Sequence, residues 1–353
     1  MGRSRKANFE LLRIISMLLI IGYHFCSETS ANIFQNSFSS NQFYAFCIGS
    51  WGLVGVHCFF FISAYFLIKK NAVQVHSEKV FKIIFQTLFY SVVAIVLDLL
   101  LGGGKWNKIE ILYHCIAPLM GQYWFVLVYC MMYILSPYFN MFLKNIKASQ
   151  LKKCMLLLTL IVPVLLTLWG ESPCGTLGIA IYDYFLVALI EKKVICLSKR
   201  KVQLGLVVTI FVVLITETFG SIVFGKPIAI VRLTGRCAGI QILIAFFLFL
   251  LFLDLRVTKV ENIISLLSKN TLGVYLIHES PLMGKYLRDD LLGINKLYLA
   301  KSFPISILIM IIITFIVATV LDKIRTITFE KIAFIYLRKI NIFPKIDKWM
   351  NDL

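Results

Sequence analysis

Charge is scarce in this chain, and acidic charge is scarcer still. Asp, Glu, Lys and Arg make up 15% of its 353 residues, with 18 Asp plus Glu against 36 Lys plus Arg. Soluble globular domains carry about 25% charged residues. The low value here, with 59% hydrophobic residues and a mean hydropathy of +0.85, excludes an ordinary water-soluble domain. Paired cysteines are missing too. The nine cysteines stand singly, mostly inside apolar runs, and no Cys-x-x-Cys pair occurs. That excludes a cysteine zinc site or a dithiol redox motif, and the cysteines read as small buried hydrophobes. There is no internal repeat, no low-complexity tract and no separate soluble stretch. The basic excess does not point to nucleic acid. Lys and Arg gather between apolar runs, which is how membrane topology is written, although the same excess suits an anionic substrate.

What the chain has in abundance is apolar sequence. Runs of near-spanning length fall at about 8–27, 49–68, 81–103, 121–143, 154–170, 176–190, 202–219, 237–254, 263–283 and 301–321. Each approaches the roughly 20 residues that cross a hydrocarbon core. The sixth is short and holds Asp183, and the ninth is interrupted by Ser, Lys and Asn. Of the 36 Lys and Arg, 25 lie in segments 1–8, 69–82, 144–153, 191–201, 255–262 and 322–353, whereas Arg13 and Lys269 lie within runs. This bias places both termini in the cytoplasm, and ten crossings return the chain to that side. MGRSRKAN is a basic leader, but an arginine inside the first run and no small-residue cleavage site make that run a retained span. The expectation is an all-α polytopic bundle of about ten transmembrane helices in the cell membrane. A transmembrane domain over 1–321 precedes a basic tail over 322–353 that reads as an amphipathic helix on the membrane surface.

Two polar residues in the first run carry most of the functional signal. Arg13 and His24 are eleven residues apart. That separation turns a helix by about 1100°, so both fall on nearly one face, about 16 Å apart along the axis. Ionisable residues in spans are costly and mark function. Glu10 stands three residues before Arg13, where the two either neutralise each other or belong to a site with His24. His57 in the second run and Asp98 in the third lie toward the same end as His24, so the three can face one another, or His57 simply packs between helices. Ser63 and Tyr65 stand near the other end of the second run. Lys79 and Lys82 open the third helix at i, i+3, where two ammonium groups can grip phosphate or merely supply positive-inside charge. Tyr123 and Trp124 fit an interfacial aromatic belt or a sugar-stacking surface. In NTLGVYLIHESPL, His278 and Glu279 lie near the outer surface, one turn after Tyr275.

These pieces resemble a known family. Arg13 and His24 with ten residues between them, FFFISAY at 59–65, QYWFVLVY at 122–129 and NTLGVYLIH at 270–278 occur in the order found in the membrane acyltransferase type 3 family. The resemblance runs from residue 8 to about 321. It implies a ten-helix bacterial enzyme that O-acylates sugars of cell-surface polysaccharides, taking the acyl group, usually acetyl, from cytoplasmic acyl-CoA, with no permanently bound cofactor and no metal. It implies His24 as catalytic base with Glu10 as the usual acidic companion. Arg13, Lys79, Lys82, Ser63 and Tyr65 fall on the donor side, and His57, Tyr123 and Trp124 on the acceptor side. There are departures. Lys79 and Lys82 replace two arginines, Ser63-Ala64-Tyr65 lacks the glycine of a Ser-Gly-Tyr motif, and His57 stands where an acidic residue is common. The competing reading is a lipid-linked oligosaccharide flippase or other transporter, which would share the spans and intramembrane charges but leave its substrate covalently unchanged.

Overall fold

An apolar segment in lipid can satisfy its backbone only by closing hydrogen bonds on itself or within a sealed barrel. The computed structural model describes residues 6–28, 33, 38–70, 74–101, 107–116, 121–165, 175–224 and 238–351, and the regular elements among them are all helical. The basic leader residues Arg3 and Arg5 lie outside the described residues. The chain is a multi-pass membrane protein. Among the described residues, six helical stretches are long and apolar enough to cross a bilayer: Ala7–Ser27, Ser40–Lys69, Ser77–Leu100, Trp124–Asn145, Lys199–Phe224 and Phe303–Lys339.

In chain order the helices are α1 (Ala7–Ser27), α2 (Ser40–Gly49), α3 (Gly52–Lys69), α4 (Ser77–Leu100), α5 (Lys108–Ile116), α6 (Trp124–Asn145) and α7 (Ala148–Thr159). They continue with α8 (Gly175–Glu191), α9 (Lys199–Phe224), α10 (Gly239–Leu253), α11 (Glu261–Ser268) and α12 (Thr271–His278). Short helical turns over 284–299 lead to α13 (Phe303–Arg325), α14 (Lys331–Lys339) and α15 (Ile342–Asn351). Proline shapes two of these boundaries. Pro304 sits at the first turn of α13, where its missing N–H costs nothing. Pro163 falls within the π-helical stretch Leu160–Leu165 that continues α7, where the ladder is already loosened.

α1 is the axis of the bundle, packed against α2, α3, α10, α11, α12 and α13. Phe9, Leu12, Ile21, Phe25 and Cys26 on it are fully buried. Gly55 lets α3 close onto α1, because a Cβ there would strike the backbone of Ser16. The outermost helices show the opposite pattern. α13 exposes Ile305, Leu308, Ile312, Ile316 and Val320, and α9 exposes Leu204, Val208, Phe211 and Ile215. Apolar faces of that extent are stable against lipid rather than water.

The ninth run is not one helix. α11 ends at Ser268 and α12 begins at Thr271, with Lys269 and Asn270 between them. Ser268 Oγ donates a hydrogen bond to the buried Glu10 carboxylate on α1, and Thr271 Oγ1 bonds the Ser268 carbonyl at 3.1 Å. A break at membrane depth is tolerable where it lines a cavity, and this one does.

Candidate active site

The site is built on one stripe of α1. Arg13, Met17, Ile20 and His24 follow one another at spacings of four, three and four, so they lie along a single helix face. Arg13 and Met17 line a cavity of about 650 Å³, and Met17, Ile20 and His24 line a second of about 250 Å³. The two cavities share Met17, Phe59, Phe125 and Tyr275 as lining, so they adjoin across a largely apolar wall. One end of the stripe is cationic and the other holds an imidazole.

Arg13, Lys79, Lys82, Lys269, Lys323 and Arg325 line the larger chamber, against the carboxylates Asp322 and Glu330. Arg13 Nη1 bonds Glu10 at 3.0 Å. Glu10 itself is buried and held by Ser268, so it orients Arg13. It stands about 21 Å of helix rise from His24. Ser63 also lines this chamber. Tyr65 does not. Its hydroxyl accepts from Lys69 at 2.9 Å and Lys6 at 3.2 Å, and its ring packs on Phe9 and Phe249. Asp322 ties the wall together, because its Oδ1 accepts from Gln86, Tyr90 and Arg325 at 2.9, 2.9 and 2.7 Å. Gly273 of α12 packs directly on that carboxyl, where any Cβ would collide with it. This is the physical reason for glycine in the NTLGVYLIH segment.

At the other end, hydrogen-bond logic fixes the state of His24. His278 Nδ1 lies 2.6 Å from the Val274 carbonyl, which can only accept, so Nδ1 carries the proton. In the neutral ring His278 Nε2 is then an acceptor. It faces His24 Nδ1 at 3.0 Å, so His24 donates from Nδ1 and keeps its lone pair on Nε2. Glu279 Oε2 lies 3.2 Å from the same Nδ1 and reinforces that tautomer. The buried Arg288 anchors the carboxylates, with Nη1 3.2 Å from Glu279 and Nη2 3.4 Å from Glu28. Trp124 lines the His24 chamber with Gln122, Tyr23 and Glu28. This is the arrangement of a general base held by a partner.

A family model for an acyltransferase domain matches residues 6–323. The chain belongs to the acyltransferase 3 family. No curated protein and no solved structure matches it significantly. The matched acyltransferase domain contains every side chain of the two chambers described so far except Arg325 and Glu330, and the tail helices α14 and α15 lie beyond it.

Two expected neighbours of His24 lie elsewhere in this acyltransferase. His57 bonds Asp183 of α8 at 2.6 Å, with both side chains buried, and lines neither chamber. The carboxylate facing His57 is therefore Asp183 and not Asp98, because α8 packs along α3. Tyr123 is also buried, and its hydroxyl donates to the Leu276 carbonyl at 2.9 Å, which props α12 against α6. Arg288, Glu28, Asp322 and Arg325 carry no motif by which sequence alone would single them out. Arg288, Asp322 and Arg325 read as loop or tail charges, although Asp322 and Arg325 occupy the last turn of α13, which runs on past residue 321.

His24, His278 and Glu279 bring three ligand atoms within 4.8 Å of one another, a donor set a transition metal can use. A metal there would have to break the His24–His278 hydrogen bond and share Glu279 with the Arg288 guanidinium. The same groups are already satisfied as a hydrogen-bonded base.

Proposed function

We propose that this acyltransferase moves an acyl group, acetyl in the leading case, from cytoplasmic acyl-CoA to a hydroxyl of a cell-surface or lipid-linked glycan. In this reading the bundle crosses the cell membrane ten times with both termini inside, and the Arg13 end of α1 faces the cytoplasm. The observation that carries it is the α1 stripe, which runs from a cationic chamber to an imidazole chamber whose linings share Met17, Phe59, Phe125 and Tyr275. A nucleotide thioester has the matching shape: an anionic head, and a long neutral arm that ends in the reactive carbonyl. Arg13, Lys79 and Lys82 hold the phosphates by charge-assisted bonds. The arm passes Met17, Phe59, Phe125 and Tyr275, and the thioester rests beside His24.

His24 Nε2 then removes the acceptor hydroxyl proton as that oxygen attacks the thioester carbonyl. The carbon–sulfur bond breaks, the ester carbon–oxygen bond forms, and the proton on His24 passes to the departing thiolate. His278 and Glu279 stabilise the imidazolium that forms between these steps. Trp124 offers a stacking face to the sugar ring.

The test is mass spectrometry of the surface polysaccharide from cells with the wild-type protein, with His24→Ala, and without the protein. Loss of the acyl ester with the polymer intact in both mutant strains is the expected result. Loss of the polymer itself would favour the flippase reading. Wild-type acylation by a normally inserted His24→Ala protein would overturn the role of His24.

A further inference from the structure

Beyond the matched domain the chain continues as α14 and α15, which dock by specific contacts rather than trail across the surface. The Ser77 N–H donates to Asp347 Oδ1 at 2.6 Å, and the Val75 N–H to Asn351 Oδ1 at 2.8 Å. Asn351 Nδ2 returns a bond to the Val75 carbonyl at 3.0 Å. Phe343 is buried against Phe81 and stacks on Phe334. Asn341, at φ 57°, takes the left-handed conformation that turns α14 into α15. The tail is thereby fixed over the start of α4.

Between tail and α4 lies a cavity of about 540 Å³, lined by His76, Glu78, Lys79, Lys82, Arg338 and Asp347 among others. Lys79 and Lys82 also line the Arg13 chamber, so one pair of lysines forms the wall between two cavities. Arg338 meets the Glu78 carboxylate as a fork, with Nη2 and Nε at 2.5 and 3.3 Å from its two oxygens. Lys82 Nζ approaches the same carboxylate at 3.0 Å. A guanidinium fork and an ammonium converging on two oxygens form the cradle that a phosphate takes. Here an internal carboxylate occupies it, and that carboxylate is partly exposed, so it can swing away into solvent.

We propose that this tail pocket is a second anion subsite, in which Arg338 and Lys82 bind a phosphate of the nucleotide end of the donor and Glu78 is the resident counter-ion that the phosphate displaces. This rests on the acyl-CoA reading above. It divides the donor between Arg13 on one side of the Lys79–Lys82 wall and Arg338 on the other. It also gives a ligand-binding task to a segment outside the family domain.

The probe is adenosine 3′,5′-bisphosphate, which carries nucleotide phosphates without the pantetheine arm. Its binding and that of CoA are measured by calorimetry on the full-length protein in nonionic detergent. Arg338→Ala should weaken bisphosphate binding roughly ten-fold, the loss of one charge-assisted contact, and Arg338→Lys should recover part of it. Glu78→Gln should strengthen binding, because the competitor is neutralised. A purely structural clamp predicts the same sign for Arg338→Ala and Glu78→Gln, and that result overturns the proposal. CoA binding that ignores Arg338 overturns the subsite but leaves the donor reading standing, whereas a wild-type protein that binds neither probe removes both. In nanodiscs, bisphosphate binding should persist with phosphatidylglycerol present. Displacement by that lipid would assign the cradle to headgroup phosphates instead.

Discussion

At the residue scale, the reactivity of His24 depends on a proton placed two links away. Val274 offers a carbonyl, so His278 donates from Nδ1, accepts on Nε2, and obliges His24 to hold its proton on Nδ1. A base needs the opposite nitrogen open, and this relay leaves the lone pair there. Replacing His24 by Ala should cost about 10²–10⁴-fold in kcat, the usual worth of a positioned base. His278→Ala should lower kcat less and shift its pH profile, with donor KM nearly unchanged, because His24 remains but loses its fixed tautomer. His278→Gln retains an acceptor for His24 and should recover part of the rate. A His278→Ala enzyme with wild-type kcat and pH profile would show that the relay does not matter.

At the element scale, buried polar pairs decide how helices register against one another. His57 of α3 and Asp183 of α8 form a short bond in a site with no exposure to speak of. Removing one partner strands the other, which costs about 3–5 kcal/mol, while replacing both by apolar groups is often neutral. Asp183→Leu alone should therefore lower the Tm in detergent markedly, and His57→Leu/Asp183→Leu should restore most of it. Equal losses in the single and double variants would mean the pair is not coupled. The sixth run is short and holds a carboxylate, Asp183, yet that residue is what ties α8 to α3. An isolated carboxylate in an apolar run reads as a defect until its partner, 126 residues away, is known.

At the scale of the whole molecule, the two chambers predict a division of labour. Neutralising Lys79 and Lys82 together should weaken acyl-CoA binding about a hundred-fold or more, since each charge-assisted contact contributes about 1.5–3 kcal/mol. His24→Ala should leave that binding within a few-fold and lower transfer by about 10²–10⁴-fold. Equilibrium binding in detergent, paired with a transfer assay on the same preparations, reads both quantities. The reverse pattern would place the donor at the His24 end of the bundle and invert the orientation proposed above.

Much of this was legible in the sequence because its physics is local. Apolar runs of bilayer length, a 3.6-residue period that puts Arg13 and His24 on one face, and the scarcity of charge follow from residues close together in the chain. Among the described residues each of the ten runs overlaps a helical segment, six stretches meet the length and hydropathy of a span, and the ninth run is broken at Lys269–Asn270. The partners of the polar residues were not legible. Which carboxylate meets His57, that Arg288 binds both Glu28 and Glu279, that Asp322 closes the wall behind Gly273, and that Arg338 returns to Glu78 all depend on contacts between distant segments. Such contacts are decided by helix packing, and a one-residue change in helix rotation of about 100° would exchange every one of those partners. Period and composition determined which faces are polar, and only the tertiary structure decided which polar faces meet.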